Sequence, residues 1–202
     1  DLNIKAILNS NIDLGKIFIN VRPNTKSLIQ STISKYNCNN DLIKIIAEKN
    51  VKGTAGTVSD IASKNDIKNG YLVIYGDQFY PDLENFLNKI NSFDNMILCY
   101  EGTDYKNSGV ITKDSNNFMT KIIEKPRSIA GEVFLMNSGI YFLNDNFLKE
   151  LIAFRNLKSE EVIDFSKDIF PQINFNDHVF KILVGKQPLA VDNEERFIQN
   201  KA

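Results

Sequence analysis

Apolar positions recur along the chain with two alternating periods. Leu2, Ala6 and Asn9 fall on one side and Ile4, Ile7 and Leu8 close together, which predicts a helix over residues 2–11. The β-branched and aromatic run Lys16 to Val21 predicts a strand. Leu28, Ile29 and Ile33 at helical spacing predict a helix over 24–34, capped by Asn24 or Thr25. A strand is expected over 42–49, a helix over 57–64 from Val58, Ile61 and Ala62, and a short buried strand over 72–75. A helix over 82–90 carries Leu83, Phe86, Leu87 and Ile90 on one face, and MILCY at 96–100 closes a βαβαβ pattern. Such alternation predicts an α/β fold with a mostly parallel sheet and helices on both faces.

Beyond residue 100 the pattern changes. GVITKD, FMTKIIEKP and EVFLMNSGIYFLN are strands with little helix between them, so antiparallel additions to the sheet are expected. Helices are predicted over 147–154, 160–170 and 193–201, with a strand at HVFKILV. No Gly/Ser/Pro-rich linker or internal repeat divides the 202 residues, so they read as a single domain whose second half resembles a lid.

Composition narrows the partners. With 24 basic and 25 acidic residues the net charge is −1, and no basic stripe makes an electrostatic case for nucleic acid. The apolar runs are strand-sized and no basic-then-apolar leader is visible, so no membrane span is expected. Cys38 and Cys99 are far apart without CxxC spacing; neither a disulfide framework nor a zinc site is suggested, and a reducing cytoplasm is the default location. The lone His178 precedes an apolar strand and reads as structural.

Two stretches carry candidate chemistry. LVIYGDQF, residues 72–79, ends an apolar strand on Gly76 and Asp77. Ligand crevices in parallel sheets lie at the carboxyl ends of the strands, and a carboxylate there suits Mg²⁺, which takes one or two carboxylates plus phosphate oxygens and water. Gly76 would let a ligand approach the backbone; a turn or cap aspartate ahead of Pro81 and Asp82 is the plainer alternative. KGTAGTVSDIA, residues 52–62, puts two glycines at a helix start, where free N–H groups and the helix dipole favour an anionic or polar ligand, although a plain tight turn accounts for a GxxG equally well.

The ordered set GTAG (53–56), YGDQF (75–79), NSGV (107–110), IIEKP (122–126), MNSGIYFL (136–143) and DFSKDIFPQI (164–173) resembles the sugar-1-phosphate nucleotidyltransferase family. It is most similar to the mannose-1-phosphate guanylyltransferase-like members. The resemblance implies a Rossmann-like nucleotide-diphospho-sugar transferase fold, and a reaction joining a nucleoside triphosphate to a phosphorylated sugar with release of pyrophosphate. It implies that Gly53, Thr54, Ala55 and Gly56 line the base and ribose side of the pocket and that Asp77 holds the Mg²⁺. Gly109 would leave room for the sugar ring, Glu124 and Asn137 would bind its hydroxyls, and Lys125 would meet its phosphate. The Glu124-Lys125-Pro126 order by itself offers one acceptor and one cation side by side, though an exposed surface pair would look the same; Asn137 could equally be a turn residue before Gly139.

The family's N-terminal strand and glycine-rich phosphate loop find no counterpart here, and residues 1–10 match the helix that follows them; the chain is expected to be an N-terminally incomplete member. Family members also offer a second metal carboxylate before the last helix. In PLAVDNEERF, ungapped matching on Glu195 puts Ala190 at that place, a gap puts Asp192 there, and the Asp192 to Glu195 spacing also fits a capping box. A non-catalytic sugar-nucleotide-binding or regulatory relative and a related-fold glycosyltransferase are the alternative readings, and the base, the sugar and any homo-oligomer stay open.

Overall fold

The computed structural model describes residues 2–10, 12–13, 15–36, 42–65, 69–90, 94–158, 161–175 and 177–190. Helices α1 (Leu2–Leu8), α2 (Lys26–Ile33), α3 (Thr54–Ala62), α4 (Leu83–Leu87) and α5 (Asp145–Leu157) alternate with ten strands. These are β1 (Ile17–Val21), β2 (Ile43–Ala47), β3 (Tyr71–Ile74), β4 (Gln78–Phe79), β5 (Asn95–Gly102), β6 (Gly109–Lys113), β7 (Met119–Glu124), β8 (Phe134–Leu143), β9 (Phe180–Gly185) and β10 (Leu189–Ala190).

β1 and β2 pair in parallel. The main sheet runs β7-β6-β8-β5-β9, with β3 on β8. β5 and β9 are parallel. β8 is antiparallel to both β5 and β3, so β3, β5 and β9 share one direction with β8 running back between β3 and the other two. The expected α/β class with antiparallel additions is what forms; the βαβ alternation of the first half simply does not reveal that a later strand enters between β3 and β5.

Period-two burial explains why helices cover both faces. From β5 and β8, Ile97, Cys99, Tyr141 and Leu143 face a core completed by Ala55, Leu148, Leu151, Phe165, Phe170 and Phe180. Their neighbours Met96, Leu98, Ile140 and Phe142 face the other core, with Leu83, Phe86 and Leu87 of α4 and with Ala6 and Ile7 of α1. A continuous apolar run of this kind is buried on both sides. His178 is structural as expected: its ring packs edge-on against Phe147, 5.3 Å between centroids, and Nε2 lies 2.7 Å from Glu150.

One predicted helix is replaced by something else. Within 160–170, residues 161–164 are non-helical and Phe165–Ile169 forms a π turn followed by a 3₁₀ turn at Phe170–Gln172. The cause is tertiary: Ile163 donates its N–H to the Lys52 carbonyl at 2.9 Å, which holds this stretch extended against the start of α3. The helix expected over 193–201 lies outside the described residues. Among the described residues no helix is long and apolar enough to cross a membrane.

Candidate active site

The GTAG segment forms the N-terminus of α3, but the N–H groups of Thr54, Ala55 and Gly56 are not free for a ligand. Thr54 N donates to Asp164 Oδ1 at 2.9 Å, and Ala55 N and Gly56 N donate to the Ile163 carbonyl at 2.9 and 3.0 Å. The anion favoured by the helix dipole is therefore supplied by the chain itself, as Asp164. This corrects the expectation that a ligand completes those groups. Thr54 Oγ1 also donates to Asp164 Oδ1 and accepts from Phe165 N at 3.1 Å. Gly53 sits at φ +77°, and a Cβ there would run into the backbone of Ile163. Glycine is thus required by close approach of two backbones. Ala55 and Gly56 are buried, and Gly56 faces the Arg155 guanidinium, so of the four it is Gly53 and Thr54 that are partly exposed.

Behind this junction a second network anchors α3. Arg155, nearly buried, donates through Nε to Asp60 at 3.0 Å and through its terminal nitrogen to the Glu161 carbonyl at 2.6 Å, while Lys52 also pairs with Asp60. Burial pushes the Asp60 carboxyl up, but the bonds from Lys52 and Arg155 outweigh it and hold the group below its usual range.

Gly109, Glu124 and Asn137, far apart in sequence, converge. A Cβ on Gly109 would stand 3.0 Å from Glu124 Oε2 and 3.5 Å from Asn137 Cβ. Pairing explains Gly109 and Glu124, which are register partners in the β6–β7 hairpin. Asn137 arrives by a bulge. Leu98 pairs with Ile140 but Cys99 pairs with Asn137, so Ser138 and Gly139 loop out of the β8 ladder. In an uninterrupted strand Asn137 and Tyr141 would be about 13 Å apart; the bulge removes roughly half of that. Asn137 Nδ2 consequently lies 2.7 Å from the Tyr141 hydroxyl. The bulge is held by Ser138 Oγ donating to the Leu98 carbonyl at 2.6 Å and by Gly139, at φ +83°, lying so close to the Tyr75 ring that a Cβ would be 2.7 Å from it.

Lys125 follows directly. It is exposed, and its backbone is left-handed at φ 45°, pinned by its N–H to the Ser108 carbonyl at 3.1 Å. A non-glycine residue in that region stores strain, which is concentrated at ligand sites. Burial pushes the Glu124 carboxyl above its usual range; Lys125 and Lys167 pull it back, Asp164 adds to the rise, and a bond from Ser166 opposes it.

Sequence reasoning missed four contributors here: Tyr75, Tyr141, Asp164 and Ser166. Each stands inside a stretch that carried the resemblance, yet Tyr75 and Tyr141 read as strand residues and Asp164 and Ser166 as helix. Asp77 stands apart from this cluster, exposed in the turn between β3 and β4, with Gly76 open to the surroundings: a Cβ there meets no atom within 4 Å.

The match to the family described as nucleotidyl transferase spans residues 1–186. The chain belongs to the nucleotidyl transferase family. Among curated relatives, a bifunctional protein GlmU of Methanococcus aeolicus is 31% identical over 167 residues, 71% of this chain and 39% of the relative. A bifunctional sugar-1-phosphate nucleotidylyltransferase/acetyltransferase of Sulfurisphaera tokodaii is 34% identical over 110 residues, 54% of this chain and 26% of the relative. A putative mannose-1-phosphate guanyltransferase of Sulfolobus acidocaldarius is 25% identical over 183 residues, 88% of this chain and 46% of the relative. The chain spans less than half the length of these relatives. The resemblance to sugar-1-phosphate nucleotidyltransferases thus rests on their sequences as well as on its motifs. Among solved structures, HddC from Yersinia pseudotuberculosis complexed with GMP-PN superposes with TM-score 0.69 at 21% identity, covering 97% of this chain and 80% of that one. CTP:phosphocholine cytidylyltransferase (LicC) from Streptococcus pneumoniae gives 0.72 at 14%, covering 98% and 81%. At such identities the likeness establishes the fold alone.

In this nucleotidyl transferase the donors for a metal ion are sparse around the expected position. Among the described residues no three His, Cys, Asp or Glu side chains cluster to hold an ion. Asp77 offers one hard, solvent-facing oxygen donor, a type that suits an ion completing its shell with phosphate and water. β10 pairs with β4 so that Ala190 is the partner of Gln78, the residue after Asp77. The ungapped match for the second carboxylate therefore lies beside Asp77 in register and is an alanine; Asp192 lies outside the described residues.

Proposed function

We propose that this chain carries the nucleotidyl-transfer site of a sugar-nucleotide-forming enzyme, joining a nucleoside triphosphate to a sugar 1-phosphate with release of pyrophosphate. The observation that carries the reading is the convergence of Gly109, Glu124 and Asn137 with the strained Lys125 at one rim. Gly109, buried and without a side chain, lets the Glu124 carboxylate and Asn137 close over it, where they would meet the hydroxyls of a sugar, and Lys125 offers a cation for a phosphate. Gly53 and Thr54 would meet the base and ribose, with Ala55 and Gly56 supporting them from below.

In the reaction an oxygen of the sugar phosphate forms a bond to the α-phosphorus, the bond from that phosphorus to the bridging oxygen of the β-phosphate breaks, and pyrophosphate leaves. A divalent cation, Mg²⁺ by this reading, would be held by Asp77 and would neutralise triphosphate charge. Glu124 and Asn137 orient the acceptor, and Lys125 draws its phosphate in and balances its charge. Positioning and charge compensation account for catalysis of this type without a covalent nucleophile.

Pyrophosphate release from GTP, CTP, UTP and dTTP, each with hexose 1-phosphates, tests the proposal. Turnover that depends on both substrates and stops with EDTA supports it; none with any pair removes it. A second reading, a relative that binds a sugar nucleotide without turning it over, draws on Ala190 opposite Gln78. It requires thermal stabilisation by a nucleotide sugar without pyrophosphate release, and a ligand at a hundredfold its dissociation constant adds about 2.7 kcal/mol.

A further inference from the structure

We propose that Tyr141 and Ser166 are positioning residues that lock the Asn137 carboxamide with its oxygen toward the ligand, so that the acceptor pocket reads hydroxyl donors and rejects acceptors without them. The inference rests on the preceding reading and specifies what that pocket can take.

The polarity follows from counting donors. The Gly139 N–H donates to Asn137 Oδ1 at 3.0 Å, which fixes the oxygen on that side of the amide. Both protons of Nδ2 are then accounted for by the Tyr141 hydroxyl at 2.7 Å and Ser166 Oγ at 3.2 Å. Tyr141 passes its own proton onward, to the Tyr75 hydroxyl at 3.5 Å. Both Asn137 protons are thus spent inside the protein, one on Tyr141 and one on Ser166. What is left over is acceptor capacity: the second lone pair of Asn137 Oδ1 and the remaining lone pairs of Glu124. Two acceptors that close together over Gly109 suit a ligand with two hydroxyl groups to donate. An acceptor such as phosphocholine, which has none, leaves both half-buried lone-pair sets without a donor from the ligand, and sites built for a hydroxyl discriminate strongly against its absence.

Tyr141 is the discriminating position because it is wholly buried, its ring packs on Phe165 and Phe170, and its hydroxyl is the one atom that phenylalanine lacks. Without that hydroxyl one Asn137 proton loses its partner, and the amide is free to turn toward the ligand.

The test uses the intact protein with Tyr141→Phe and Ser166→Ala, whichever nucleoside triphosphate supports turnover, mannose 1-phosphate, glucose 1-phosphate, their monodeoxy analogues and phosphocholine. We expect the parent to use a hexose 1-phosphate and not phosphocholine. Tyr141→Phe should raise the KM of that hexose phosphate about tenfold, the scale of one hydrogen bond, with the nucleotide KM moving less than twofold. The penalty should shrink to near unity on the deoxy analogue that lacks the hydroxyl read by Asn137, and Ser166→Ala should act in the same sense but less. Preference for phosphocholine, or a penalty shared equally by all acceptors or by the nucleotide, overturns the inference. If the parent turns over no pair at all, the proposed function fails instead, and the inference is then judged by NMR. The Asn137 side-chain amide protons should exchange slowly in the parent and fast in Tyr141→Phe, and equal exchange in both overturns it.

Discussion

The cluster around Asn137 and the turn around Asp77 are built in opposite ways. The first is half-buried, assembled from β6, β7, β8 and the 164–167 segment, and its polar atoms are partnered before any ligand arrives. The second is one exposed carboxylate beside an open glycine. The difference follows what each would meet. A neutral, hydroxyl-bearing ring supplies little electrostatic energy, so its recognition depends on groups already held in place. A triphosphate and a cation bring their own charge and coordination geometry, so a single well-placed oxygen is enough to join them.

The largest effect should come from the sparse side. Asp77→Ala is expected to lower turnover about 10³-fold, roughly 4 kcal/mol, and to abolish Mg²⁺-dependent nucleotide binding. Its melting temperature should stay within about 1 °C, since an exposed side chain carries no packing. Nucleotide binding that survives unchanged would take the metal role away from Asp77. On the prebuilt side the penalties should fall on folding instead. Gly53→Ala forces a Cβ into Ile163 at a positive φ, and urea denaturation should show a loss of roughly 2–4 kcal/mol. A midpoint equal to the parent's would mean that the α3 start and residues 163–165 are not stitched together as described.

Lys125→Ala belongs between the two regions. The acceptor KM should rise about tenfold, on the scale of a charged hydrogen bond, with the nucleotide KM little changed; an unaltered acceptor KM removes Lys125 from the site. Asp164→Ala leaves Thr54 without its acceptor and should cost about 1–2 kcal/mol of stability, whereas Asp164→Asn keeps the Oδ1 acceptor and should recover most of it. Equal losses in the two variants would show that the charge and not the hydrogen bond matters.

The smallest effect is a pH dependence. Because burial raises the Glu124 carboxyl, the folded protein binds that proton more tightly than the unfolded chain does. Its contribution is therefore fully present below the ordinary glutamate pKa and is lost as pH rises through the raised one. Melting temperatures measured across that window should flatten in Glu124→Gln relative to the parent, and identical profiles would place Glu124 in an ordinary aqueous setting.

How much of this was visible in the sequence depends on how local the cause is. The elements that form cores show it directly, since the two-sided burial of Met96 to Tyr100 follows from a run with no polar residue. The order of short stretches found the family, and with it Gly109, Glu124, Lys125 and Asn137. Residues 163–165 were not legible, because the partners that hold them against the start of α3, Lys52, Thr54, Ala55 and Gly56, are more than a hundred positions away. Tyr141 was hidden for the opposite reason: it satisfies an apolar strand pattern so well that nothing marks its hydroxyl as employed. Asp192 lies outside the described residues.

The bulge in β8 has a consequence for how this protein tolerates length changes. Two residues are extruded, and two is the repeat of a strand, so removing Ser138 and Gly139 together would let the ladder close with Asn137 still opposite Cys99 and every inward side chain still inward. Removing either one alone would turn the whole preceding half of β8 inside out. The fold can thus lose this dipeptide as a unit, while the amide of Asn137 would lose the N–H that orients it. A shortening of two residues at this point would mark a lineage that kept the scaffold and gave up the acceptor.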